Sequence, residues 1–165
     1  MRFFRRSSHV IFTIVALIGL AACESAEERA EAHYQRALFM AEEGDVDRAI
    51  VELRNVFNLD STHLDARRKM AELLLAQDNR AGAYQQYLML AEQAHDDLVS
   101  RIILIELAFL DANWDEVERH GARVGEIAPD KPAVEAIQLV REYRAATLDR
   151  DTALLTDLGL RAEDM

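Results

Sequence analysis

Residues 44–60, GDVDRAIVELRNVFNLD, decide how the chain is read, because their turn-then-helix pattern returns in DNRAGAYQQYLMLAE and in ANWDEVERHGARVGEIAPD. Asp45, Asn79 and Asn113 recur at one constant interval. Each has a short side-chain oxygen that can accept the free N–H groups opening a helix. At Asn113 the cap is followed three residues later by Glu116, which allows the reciprocal bond of a capping box. A period of 34 carried by turn chemistry marks an internal repeat.

Three gapless units follow: Ala30 to His63, Leu64 to Asp97 and Leu98 to Lys131. Each holds two helical patterns. Ala37, Met40 and Ala41 line one face of the first, as do Met70, Ala71, Leu74 and Leu75, and then Leu104, Ile105, Ala108 and Phe109. Second helices repeat Ala49, Leu53 and Val56, then Ala83, Tyr87 and Leu90, then Val117 and Val124. Pro129 stands where a helix should stop, and Ser61 is placed to begin a cap.

This pattern resembles the tetratricopeptide repeat. The resemblance implies an all-α fold, a right-handed helix-turn-helix solenoid of about three to three and a half repeats over residues 30–148, the last, 132–148, being partial. Ala37 and Ala71 match the motif's small residues at the close approach of two helices, Ala49 and Ala83 those of the second helix, and Pro129 the unit boundary. His33 and Arg36 depart from it where large apolar residues are usual. Ile105 replaces a small residue, and Val117 and Gly121 replace the expected Ala and aromatic, so the third unit is expected to pack less regularly. Trp114 sits where the repeat usually packs an aromatic. Residues 149–165 are expected to form a tail or a short cap from about Thr152 to Leu160.

Ahead of the repeats, Arg2, Arg5 and Arg6 precede an apolar run that extends only from Val10 to Ala22. A membrane-spanning helix needs roughly 20 apolar residues, and this run is too short. Residues 1–22 therefore read as a secretory signal. Leu20-Ala21-Ala22-Cys23 resembles the lipobox of bacterial lipoproteins, which implies acylation of Cys23, a lipid-anchored segment 23–29 and, with Glu24 following, the periplasmic face of the outer membrane. Cys23 is the only cysteine and so cannot form an internal disulfide.

From Cys23 onward 16 basic residues face 30 acidic ones, a formal charge of −14. Such a balance opposes nucleic acid and favours basic or apolar partners. It also serves simply to keep a helical protein dissolved.

Catalysis has little to draw on. Ser25, Ser61 and Ser100, the serines after residue 22, lie in no Gly-x-Ser-x-Gly elbow. His33, His63, His95 and His120 are scattered with no i, i+4 pair, so neither metal nor cofactor is expected and each reads as a surface or helix-end residue. The glycines are too dispersed for a phosphate loop.

Binding remains. In the family the first helices line an inner groove, which places Tyr34 and Leu38 there from the first unit, Arg68 and Glu72 from the second, and Ile102, Glu106 and Phe109 from the third. The cationic set that grips a peptide carboxylate in some members is matched only by Arg68 and Lys69. The expectation is a non-enzymatic scaffold, bound to a protein or peptide segment and anchored to the membrane through Cys23, in envelope assembly, pilus biogenesis or polysaccharide export. The alternative is a short or truncated fragment of a longer repeat protein, without a partner surface of its own.

Overall fold

The computed structural model describes residues 24–163. The expected signal segment and Cys23 lie outside the described residues. Eight helices and no strands occur among those described: α1 Ala26–Glu42, α2 Val46–Leu59, α3 Leu64–Ala76, α4 Arg80–Gln93, α5 Leu98–Leu110, α6 Trp114–Ile127, α7 Pro132–Asp149 and α8 Thr152–Glu163.

The caps explain where the second helices start. Asp45 accepts from the Arg48 N–H at 3.2 Å, Asn79 from Gly82 at 2.9 Å and Asn113 from Glu116 at 3.5 Å. The expected capping box at Asn113 does not close, because the Glu116 carboxylate is taken by Tyr84 and Arg119 instead. A reciprocal box forms at Ser25 and Glu28, opening α1.

Just before each cap the chain passes through the left-handed region, at Gly44 (φ 79°), Asp78 (φ 56°) and Ala112 (φ 53°). Glycine takes this conformation freely; the other two do not. A backbone bond of 2.8 Å closes every turn: Asp45 to Met40, Asn79 to Leu74 and Asn113 to Ala108.

The described residues fall into two compact units, 24–63 and 64–163. In the first, α1 packs on α2 with Ala37 and Ala49 wholly buried. Small residues at these positions let the two backbones approach, so that Leu53 and Val56 are sealed. Burying a leucine of this kind stabilises by about 1.5–3 kcal/mol.

In the second unit each helix from α3 to α8 packs on the next. Ala71 and Ala83 take the close-approach places between α3 and α4, beside Tyr87, Leu90 and Leu104. Between α5 and α6 those places are filled by Ile105 and Val117, both buried. The missing aromatic at Gly121 is made good from outside its own pair. A Cβ at Gly121 would meet Arg141 Cδ at 2.5 Å, and Gln138 Nε2 donates to the Gly121 carbonyl at 2.9 Å. Volume is thus moved between positions and supplied by α7. Pro132 opens α7, its fixed φ and absent N–H suiting a first helical turn. α8 docks on α7 through buried Leu158, against Leu139 and Ala146.

Candidate interaction clefts

The third and fourth first-helices, α5 and α7, leave an open apolar cleft of about 460 Å³ between them. Ile105 and Val117, both core residues, lie at its base, with Ile137 of α7 half-buried beside them. Glu106, Phe109 and Leu110 of α5 and Val140 of α7 are exposed along it. Phe109, 49 % exposed, also packs edge-on against Trp114, with ring centroids 5.4 Å apart. Its ring is therefore held in place yet half presented to solvent.

A second cleft of about 460 Å³ shares Phe109 and Val140 and continues between α7 and α8 past Trp114, Tyr143, Arg144 and Leu158. Together the two form one apolar strip. Tyr143 stands one full period after Phe109, so the repeat contained the signal for this extension, although the site expected from sequence stopped at the third unit.

The other expected groove residues fare differently. Ile102 is half-buried against the Ile105–Val117 cluster and belongs to the packing. Arg68 is committed to Asp97, 2.6 Å away, with Ser100 Oγ at 3.4 Å. Burial alone would raise the Asp97 pKa, but hydrogen bonds from Arg68 and Ser100 prevail and lower it. Arg68 thus ties α3 to the start of α5, and its charge is not on offer. Glu72 is exposed beside Lys69, at 3.5 Å. Tyr34, tilted against His63 with centroids 4.9 Å apart, and half-buried Leu38 lie in residues 24–63. The clefts are built from residues 64–163 alone.

His120 corrects the surface reading of the histidines, being only 2 % exposed. It sits on α6 one turn after Glu116, whose carboxylate accepts from the Tyr84 hydroxyl at 2.5 Å and from Arg119. Burial, with Arg119 and Arg101 nearby, pushes the His120 pKa down to about 4 against the opposing pull of Glu116. Burial and then Glu116 push the Tyr84 phenol up to about 12. An apolar period cannot reveal such a position, because His reads as polar wherever it stands.

Among the described residues no three His, Cys, Asp or Glu side chains gather as metal ligands. No described helix is long and apolar enough to cross a membrane.

Residues 40–103 match the family model of the tetratricopeptide repeat. Comparison with curated proteins gives no match. Among solved structures, the first tetratricopeptide domain of Spaghetti (RPAP3), bound to an HSP90 peptide, is similar at a TM-score of 0.58 and 13 % identity, covering 75 % of this chain and 99 % of that one. The Yersinia enterocolitica type III secretion chaperone SycD, in complex with a peptide of the translocator YopD, gives 0.53 and 16 %, covering 80 % and 93 %. PilF of Pseudomonas aeruginosa gives 0.56 and 12 %, covering 82 % of this chain and 60 % of that one. At these identities the likeness concerns the fold, and with the constant repeat period, the capped helix pairs and the family match it leads to one conclusion: the chain carries tetratricopeptide repeats.

Proposed function

We propose that the protein is a non-catalytic scaffold that takes side chains of a partner protein into the cleft between α5 and α7, and that it works in envelope assembly, pilus biogenesis or polysaccharide export. The observation that carries this reading is Phe109, fixed by Trp114 yet half exposed over an apolar cleft. Aromatic side chains are enriched in the cores of protein interfaces, where a few of them carry much of the binding energy. Glu106 on the cleft and the acidic chain favour a partner segment that combines apolar side chains with basic ones. SycD and the Spaghetti domain, similar in fold, are recorded with bound peptides, which supports a peptide partner here.

Phe109→Glu tests the cleft. Crosslinked capture of the partner in the envelope should fall by about 2 kcal/mol in binding terms or more. Helicity and melting temperature should stay close to those of the parent, because the ring is half exposed. Undiminished capture by a normally folded variant rules out this cleft.

The address is part of the proposal: Cys23 is acylated and holds the chain to the outer membrane, facing the periplasm. Its support is Leu20-Ala21-Ala22-Cys23 behind a basic and apolar leader. Palmitate labelling should be lost in Cys23→Ala, and equal labelling of both forms refutes the anchor.

A further inference from the structure

Arg144 is the anomaly of the second cleft. Every other half-buried or buried arginine of α3–α7 has polar partners. Arg67 donates to Gln86 at 3.1 Å, Arg68 to Asp97, Arg101 to the Ala91 carbonyl at 2.8 Å and Arg141 to Glu118 at 2.8 Å. Arg144, among the described residues, has no hydrogen bond and no ion pair, and its Nε is buried without a partner. Its guanidinium carbon lies 4.7 Å from the centre of the Trp114 ring. Stacking of this kind fixes the plane of the fork while leaving its edge open. Half-buried Arg144 borders this apolar cleft on one side and a smaller, more polar one lined by Asp115 and Glu118 on the other, and among the described residues no anion pairs with its charge.

The geometry points to a binding site for a small monocarboxylate with an apolar body, the carboxylate on Arg144 and the body along Phe109, Val140, Tyr143 and Leu158. The cleft's size, about 460 Å³, lies within the range of roughly 300–1,000 Å³ typical of small-ligand pockets. One fixed cation among apolar walls is the arrangement that orients an amphiphilic acid. The end of a peptide fits less well. Its carboxylate would draw the last amides into the same space, where the Thr147 hydroxyl already donates to the Tyr143 carbonyl at 2.8 Å. Those amides would be left unpaired. The site rests on Arg144, which the partner cleft between α5 and α7 lacks, although the two share Phe109 and Val140.

Trp114 is the only tryptophan of the chain and touches both the cation and the cleft, so its fluorescence reports occupancy directly. The purified protein is titrated with decanoate below its aggregation threshold, with decanol, and with an acetylated tripeptide acid ending in leucine, following Trp114 emission and calorimetric heat. Decanoate should saturate and bind at least about tenfold more tightly than decanol, as a charge-assisted pair requires. Arg144→Gln should remove that preference without changing decanol binding, and Arg144→Lys should keep part of it. Circular dichroism establishes that both variants are folded. Equal affinity for decanoate and decanol, an unaffected Arg144→Gln, or no binding of decanoate in either measurement overturns the site. Tighter binding of the tripeptide acid than of decanoate assigns the pocket to a peptide terminus and refutes the proposed class.

Discussion

One pair of seam positions, recurring once in every repeat, joins the two helices of each unit with different chemistry. In the first repeat it is His33 and Glu52, 2.6 Å apart, with Arg36 adding a second contact to Glu52 at 3.2 Å. The third repeat has Arg101 and His120 there, two bases. Arg101 turns away to the carbonyls of Ala91 and His95, and His120 keeps a buried Nδ1 without a partner. Between them in sequence, Arg67 and Gln86 form an ordinary hydrogen bond of 3.1 Å. The repeat therefore specifies a polar seam but not its charge, and in the third seam burial, with Arg119 and then Arg101 nearby, keeps His120 neutral.

The largest effect should come from the third seam. His120 titrates near 4 when folded and near 6.5 when unfolded, so between these values the unfolded chain binds more protons. Stability is full above about pH 6.5 and falls as the pH drops towards 4, by roughly 2–3 kcal/mol at most. His120→Gln recreates the chemistry of the second seam and should flatten that slope, in urea unfolding followed through Trp114. Glu116, Arg119 and Tyr84 face the ring, with Arg101 nearby, and the Tyr84–Glu116 hydrogen bond does not involve the ring. An unchanged slope between pH 4 and 6.5 would show that the comparison misplaces the buried base.

A smaller effect belongs to the first seam. The hydrogen bond from His33, and then Arg36, holds the Glu52 carboxyl below its ordinary range. Its contribution is present above the unfolded value of about 4.3 and is lost as the pH falls through the depressed folded value. Arg36 is half exposed, so Glu52→Gln should cost less than about 1 kcal/mol at pH 7. The gap between parent and variant should narrow as the pH falls below the ordinary carboxylate range, in urea melts monitored by circular dichroism. A loss of about 2 kcal/mol or more, beyond what a solvent-screened pair supplies, would make the two seams alike.

Much of the fold was legible because turn chemistry is local. Asp45, Asn79 and Asn113 act as caps from their own side chains, and Ala37, Ala49, Ala71 and Ala83 are small where backbones meet. What sequence could not show depends on neighbours. Glu116 looked like half of a capping box, yet Tyr84, on the second helix of the preceding repeat, claims its carboxylate. Arg68 looked like a groove cation, yet Asp97 neutralises it. Phe109 and Glu106 do border a cleft, because they lie on a first helix whose next neighbour begins at Pro132. Arg144 became notable only through the absence of a partner, which no spacing encodes.

The turn at Ala112 has a dynamic consequence. Gly44 enters the left-handed region without penalty, whereas an alanine held there starts roughly 1–2 kcal/mol higher in free energy. The same 2.8 Å bond closes both turns, so less free energy separates the closed Ala112 turn from an opened one. Opening there loosens the start of α6, where Trp114 braces both Phe109 and Arg144. The third turn should thus open more readily than the first, and a ligand that grips Trp114 or its two neighbours should oppose that opening.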